Sequence, residues 1–278
     1  MSTEITASAV KQLREMTGAG MMDCKAALTE AEGNFDTAIE LLRKKGQKLS
    51  VKRADREAKE GVVIAKVADD KKRGIVIKLS SETDFVAKNE DFINLAKEFA
   101  DIALNSFPAD KEALLALPYK NITIGEKVTE QVGVIGEKIE LAEYEKLEAE
   151  QIEYYIHSGN RAGVLVALNQ ATDAATEAGQ DVAMQIAAMK PIAVDKDGVD
   201  ATVIAKEIEI GKEVARQEGK PEDMLEKIAL GKLNKFYQDN TLLNQAFVKG
   251  SGKETVRDYL KGIDKDLTVT DFKHVALG

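Results

Sequence analysis

A pattern that occurs twice limits what this 278-residue chain can fold into. The β-branched runs 62–67 and 75–79 flank Ala-Asp-Asp-Lys-Lys-Arg, a hairpin signal. Ser80-Ser-Glu-Thr-Asp84 follows, and then Phe92, Leu95, Ala96, Phe99 and Ala103 mark one face of a helix. The same order returns downstream: Tyr154-Tyr-Ile156, the turn His157-Ser-Gly-Asn-Arg161, a strand over 163–168, Thr172-Asp173, and a helix over 182–189. Gly74 falls on Gly163 and Thr83-Asp84 on Thr172-Asp173 at a single offset of 89 residues, with the apolar strand positions in step. A hairpin plus a helix leaves a sheet face to bury, so two such units predict an α+β core of two related subdomains.

Around this core the pattern is helical. Residues 7–46 predict three short helices. In the third, Phe35, Ala38, Ile39 and Leu42 share a face behind a capping Asn34, with a stop at Gly46. In the second, Cys24, Ala27, Leu28 and Ala31 form the stripe; Met21 lies at its edge and Met22 points away from it, where a methionine suits contact with a partner helix. The cation-rich stretch from Arg43 through Lys59 reads as a solvated tether, extended or helical in part, with contact to nucleic acid as the alternative. Residues 202–217 and 223–236, split by Glu218-Gly-Lys-Pro221, predict an antiparallel helical hairpin. Such an arm either serves as a dimerisation element or folds back on its own core. The expected division is 1–46 small helical domain, 47–60 basic linker, 61–140 first core subdomain, 141–195 with 241–278 second core subdomain, and 196–240 arm.

Composition excludes several function classes. With 39 Lys+Arg against 48 Asp+Glu the net charge is −9, which weighs against phosphate-backbone binding, and 5% aromatic content without tryptophan weighs against a base-stacking platform. Two histidines, His157 and His274, and one cysteine, Cys24, leave neither a metal-ligand cluster nor the usual acid–base residues, so no enzyme chemistry and no cofactor are expected. Gly18-Ala-Gly20 follows a helical stretch and lacks the third glycine of a dinucleotide fingerprint, so it reads as a helix–helix turn. The carboxylates between Asp84 and Asp91 lack the spacing and mid-loop glycine of a calcium loop. No apolar run reaches the ~18 residues of a membrane span, and Met1-Ser-Thr-Glu-Ile-Thr-Ala carries no secretory signal, so a cytoplasmic location without membrane contact is expected.

Three segments resemble bacterial translation elongation factor Ts: Thr17-Gly-Ala-Gly-Met-Met-Asp-Cys-Lys25, Thr83-Asp-Phe-Val-Ala-Lys88 and His157-Ser-Gly-Asn-Arg-Ala-Gly-Val164, with the likeness continuing through the helical hairpin to Gln245-Ala-Phe-Val248. The resemblance implies a guanine-nucleotide exchange factor that binds elongation factor Tu carrying GDP, releases the nucleotide and is displaced by GTP. It also implies an ubiquitin-associated-like amino-terminal domain and a coiled-coil arm. By the same resemblance, Arg14, Met21 and Met22 meet a helix of the partner's G domain. Thr83, Asp84, Phe85 and Val86 reach its magnesium and phosphate side, and the loop with His157, Gly159 and Arg161 touches another of its domains. A homodimer or a two-to-two complex through the arm is a further implication. Many family members continue past the last strand into one more helix, whereas this sequence ends at Asp271-Phe-Lys-His-Val-Ala-Leu-Gly278. Two other readings compete: an adaptor that recognises ubiquitin-like or nucleic-acid partners through the helical domain and basic linker, and an acid–base enzyme using the acids from Glu82 to Asp91.

Overall fold

The computed structural model describes residues 5–250 and 252–278; the start of the amino-terminal stretch read as lacking a signal, residues 1–4, lies outside them. In chain order, α1 (Ala7–Thr17), α2 (Met21–Glu30) and α3 (Phe35–Lys52) precede β1 (Glu60–Val67), β2 (Arg73–Ser81), α4 (Asp84–Ala87) and α5 (Glu90–Ser106). Next come α6 (Lys111–Leu115), β3 (Pro118–Tyr119), β4 (Ile122–Thr123), α7 (Ile124–Ile135), β5 (Glu140–Glu148), β6 (Gln151–Ile156) and β7 (Ala162–Leu168). The chain continues with α8 (Asp173–Met189), α9 (Ala201–Gln217), α10 (Leu225–Asn240), α11 (Val256–Ile263) and β8 (Val269–Ala276). The fold is α+β.

Two antiparallel three-stranded sheets, β1-β2-β5 and β6-β7-β8, form the centre. Val62, Ile64, Ile75 and Ile77 point from the first sheet toward Phe92, Phe99 and the rest of α5, while Val63, Ala65 and Val76 point the other way, against Ile152, Leu165, Ala167 and Val275 of the second sheet. On its far side the second sheet carries α8 and α11. Burial on both faces explains why 75–77 of β2 and 163–168 of β7 read as continuous apolar runs instead of alternating ones.

The duplication extends to hydrogen-bond register. Val67 pairs with Gly74 as Ile156 pairs with Gly163, and the β-bulge after Lys78 against β5 recurs after Ala167 against β8. The contact between the sheets is reciprocal too. A methyl group added at Gly74 would stand 3.0 Å from Ile152 and 3.2 Å from Leu165; one added at Gly163 would stand 2.9 Å from Val63 and 3.1 Å from Val76. Ile152 and Leu165 are the counterparts of Val63 and Val76 in the other copy, so the two halves meet as an isologous dimer does. At one end of this sandwich Lys71 Nζ is 2.6 Å from Glu153 Oε1, a buried carboxylate that also accepts from Gln151 Nε2 at 2.9 Å.

The third helix departs from expectation. It runs from Phe35 through Gly46 to Lys52, so the first half of the stretch taken as linker is helical. A glycine inside a helix costs about 1 kcal/mol relative to alanine. Here the missing side chain lets α3 lie against α7: a Cβ built on Gly133 would stand 2.8 Å from Gly46 Cα. Leu49 then packs onto the first core, and the amino-terminal bundle, whose own core is Val10, Leu13, Cys24, Leu28 and Ala38, is seated on the first subdomain. Most of the cations in 43–59 find partners, among them Arg43 with Glu130, Lys45 with Asp23 and Arg53 with Glu82.

The arm is the helical hairpin that its pattern predicts, α9 packed on α10. The apolar residues at its seam cover one another, with Ala215, Leu225, Ala229 and Leu233 buried and Gly211 so close to Ala229 that an added Cβ would stand 3.0 Å from its Cα. Val203, Ile204, Ile208 and Val214 are only half-buried, and Ile210, Met224 and Leu230 remain exposed. Its two ends meet at the base, where Ile192 N–H donates to Asn240 and Leu242 N–H to Ala193, each at 2.9 Å.

Candidate functional site

The segment between β2 and α5 is where the two copies diverge. In the second copy Thr172 caps α8, its side chain accepting from Ala175 N, and the helix runs unbroken from Asp173 to Met189, starting nine residues before the stripe at 182–189 that predicted it. In the first copy the helix breaks: α4 ends at Ala87 and Asn89 caps a new start at Glu90. The Thr83 side chain makes no bond to its own helix. Its N–H and hydroxyl instead donate to Glu137, at 3.1 and 2.8 Å. Next to it Glu82 accepts from Arg53 and from Lys138 N–H, both at 2.6 Å. Burial pushes the Glu82 carboxyl up, but these two donors outweigh it and hold its pKa below the ordinary range.

Asp84 occupies the first helical position, and the N-cap position belongs to threonine in both copies. Its carboxylate is 2.6 Å from Lys88 Nζ, and that hydrogen bond, more than the amides of the helix start, lowers its pKa. Phe85 follows and is 84% exposed. Phe92 and Phe99, at sevenfold spacing after it, are buried, so Phe85 does not belong to their stripe. Val86 turns back and packs partly on the first core.

Phe85 and Val86 line a groove of about 660 Å³. Its opposite wall is the amino-terminal bundle, at Met16 and Gly18, and its floor includes Leu95, Tyr119 and Val134. Glu98 accepts from Tyr119 OH at 2.5 Å, and burial together with that carboxylate pushes the tyrosine pKa up. Met21 and Met22, on the amino-terminal bundle, begin α2 and are exposed, as is Arg14 on α1. Met16, Tyr119 and Val134 were not legible as site residues: Met16 lies three positions after the buried Leu13 and so imitates a core residue. Replacing Met22, 74% exposed, with alanine is expected to change stability by less than about 0.5 kcal/mol. A thermal melt checks this.

The second cluster sits on the turn between β6 and β7. His157, Gly159 and Arg161 are all exposed; His157 N–H closes the turn on Ala162 O at 2.8 Å, Gly159 takes a φ of 74°, and the His157 ring is 3.2 Å from Tyr155 OH. Arg161 reaches Glu60 of the first sheet at 3.3 Å. The two clusters therefore stand on the two related subdomains, each at the end of a hairpin strand. Among the described residues no three His, Cys, Asp or Glu side chains group to hold a metal, and no helix is long and apolar enough to cross a membrane.

The family model for Elongation factor TS matches residues 82–278. Similar over nearly the whole chain are proteins named Elongation factor Ts from Christiangramia forsetii, 55% identical with 99% of each chain covered, and Flavobacterium psychrophilum, 54% identical with 99% of each covered. A third, from Cytophaga hutchinsonii, is 52% identical over the full length of both. The chain belongs to the elongation factor Ts family. That family comprises the nucleotide exchange factors of elongation factor Tu, and the matched span opens at Glu82, the carboxylate that anchors the Phe85 segment. Arg14, Met21 and Met22 lie before that span but within the stretch shared with the relatives.

Proposed function

We propose that this member of the elongation factor Ts family speeds GDP release from elongation factor Tu by inserting Phe85 beside the partner's magnesium and phosphate site. The observation that carries the reading is a large apolar ring left almost fully exposed on a short helix whose entry is fixed by hydrogen bonds to Glu137. Solvent exposure of a phenyl ring is unfavourable, and its burial in a partner's pocket recovers about 1.5–3 kcal/mol. Release faster by about 10⁴-fold needs about 5.5 kcal/mol off the barrier, so other contacts must contribute.

Arg14, Met21 and Met22 supply the first of these, lying with the groove along one partner helix. His157, Gly159 and Arg161 supply the second, against another partner domain. Asp84 adds a charge at the inserting edge, while Thr83 and Val86 support Phe85 from behind, since both are engaged within the chain. The activity needs neither a cofactor nor nucleic acid. We also propose the division into helical domain, two core subdomains and arm as the working units of the factor.

Release of labelled GDP from elongation factor Tu, followed with and without this protein, tests the reading. Saturable acceleration is expected; the adaptor and enzyme alternatives give none. The arm is assigned to self-association through Ile210, Met224 and Leu230. Because its ends meet at the base, a variant that replaces 196–240 with a short linker is expected to fold, to keep exchange within about threefold, and to sediment as one chain. Loss of folding together with exchange would make the arm part of the core.

A further inference from the structure

We infer that Glu137 is a positioning residue for exchange: by accepting both the N–H and the hydroxyl of Thr83, it sets the angle at which α4 presents Phe85. This rests on the insertion reading and extends it to a residue outside the motif. In the second copy the threonine at the same place satisfies its own helix, and the helix then continues straight. In the first copy Glu137, from the turn between α7 and β5, takes both of the threonine's donors, at 3.1 and 2.8 Å. Its carboxylate takes the N-cap residue's own N–H, the part that the third-position glutamate plays in a capping box, but from another part of the chain. Freed from capping its own turn, the segment breaks after Ala87 and restarts at Glu90, leaving Phe85 on a turn of only four residues.

Four residues cannot hold a helical turn by themselves, because nucleation costs more than one turn returns. The posture of Phe85 must therefore be maintained from outside. Val86 and Ala87 pack beneath it, and Glu82, bound to Arg53 and Lys138 N–H, fixes the chain one residue upstream of Thr83. At the helix start itself the Ser81 hydroxyl donates to Thr83 O at 3.0 Å, and Glu137 takes both of the threonine's donors. A bidentate carboxylate restrains both translation and rotation, whereas the packing below restrains chiefly depth. Misplacing a group by about 1 Å can cost as much as 10²-fold in rate.

The chain has no tryptophan, so Phe85→Trp introduces a single indole whose fluorescence anisotropy reports mobility in the free factor. Glu137→Ala is expected to lower the saturated rate of GDP release about tenfold while the factor concentration at half effect shifts less than about twofold. In the Phe85→Trp background it should lower the indole anisotropy, and Thr83→Val should do so by less, since only the hydroxyl is lost. Added to Phe85→Ala, Glu137→Ala should slow release no further.

If Glu137→Ala melts early, Glu137→Gln, which keeps size and one acceptor, takes its place in each comparison. Additive slowing with Phe85→Ala, or slowing without a change in anisotropy, overturns the proposal, because Glu137 would then act on the partner directly. Slow exchange by Phe85→Ala beside normal exchange by Glu137→Ala overturns it alone. Normal exchange by Phe85→Ala removes the insertion reading itself, and the proposal with it.

Discussion

Phe85→Ala is expected to slow GDP release from elongation factor Tu by about tenfold or more at saturating factor, with folding stability unchanged to within about 1 kcal/mol. Both halves follow from position. The ring is 84% exposed, so truncation opens no cavity and removes little buried area. Its counterpart in the second copy is the exposed Ala174, and that helix forms without an aromatic there. The ring therefore contributes little to the fold, and under the proposed insertion its contribution is made to the partner. Contacts formed as nucleotide leaves lower the rate at saturation when removed, whereas contacts present throughout the complex change mainly the concentration needed. Stopped-flow release over a range of factor concentrations separates the two, and a melt reads the stability. A loss of about 3–5 kcal/mol would mark the ring as core.

Gly133→Val is expected to do the opposite: to weaken binding and stability while sparing the rate at saturation. Gly133 on α7 faces Gly46 on α3, and an added Cβ would stand 2.8 Å from Gly46 Cα and 3.3 Å from its N. Both are backbone atoms, so no rotamer change relieves the clash and the two helices must separate. Overpacking of this kind costs about 1–3 kcal/mol, and the β-branched side chain adds a helix-propensity penalty. As α3 moves it carries the bundle with Arg14, Met21 and Met22 away from Phe85, which stays on α4. Two patches that engage one partner gain from being held at a fixed spacing, and that gain is lost when the spacing changes. The half-effect concentration should rise about tenfold, and the saturated rate should stay within about threefold. An unchanged half-effect concentration in a destabilised variant would show that the bundle's placement is irrelevant to binding.

The sequence showed the repeated hairpin because its strands are buried on both faces, which makes 75–77 and 163–168 apolar runs with matching flanks. It hid β5 for a related reason. Leu141, Tyr144 and Leu147 are the buried apolar residues of that strand, three apart, which imitates a helix. The bulge opposite Lys78 and Leu79 shifts the phase between Leu141 and Tyr144, so both face the first core, while Leu147 faces the second sheet. Gly46 misled by local rule: a glycine after a helical stripe is usually a stop, and only Gly133, 87 positions away, makes it a crossing point. The amino-terminal half of α8 was missed because its inward residues are Ala175, Ala178 and Gly179, too small to register as an apolar stripe.

The exposed residues of the candidate site were legible as short local motifs. Phe85, Met21, Met22 and His157 all lie at turns or helix starts, and their exposure follows from local geometry. What holds them was not legible. The groove draws on Met16, Leu95, Tyr119 and Val134, and Thr83 is fixed by a residue 54 positions later. Neither relation has any local signature, because each exists only once the first sheet, α5 and α7 have packed.

Exchange requires that this chain and guanine nucleotide weaken each other's binding to elongation factor Tu by the same factor. A factor that bound both forms equally would shift nothing, however tightly it bound. Calorimetric titration of the protein onto elongation factor Tu, once free of nucleotide and once saturated with GDP, measures that coupling directly. The account predicts binding at least about 10²-fold tighter to the nucleotide-free form, with most of the difference lost in Phe85→Ala. Equal affinity for the two forms would contradict it.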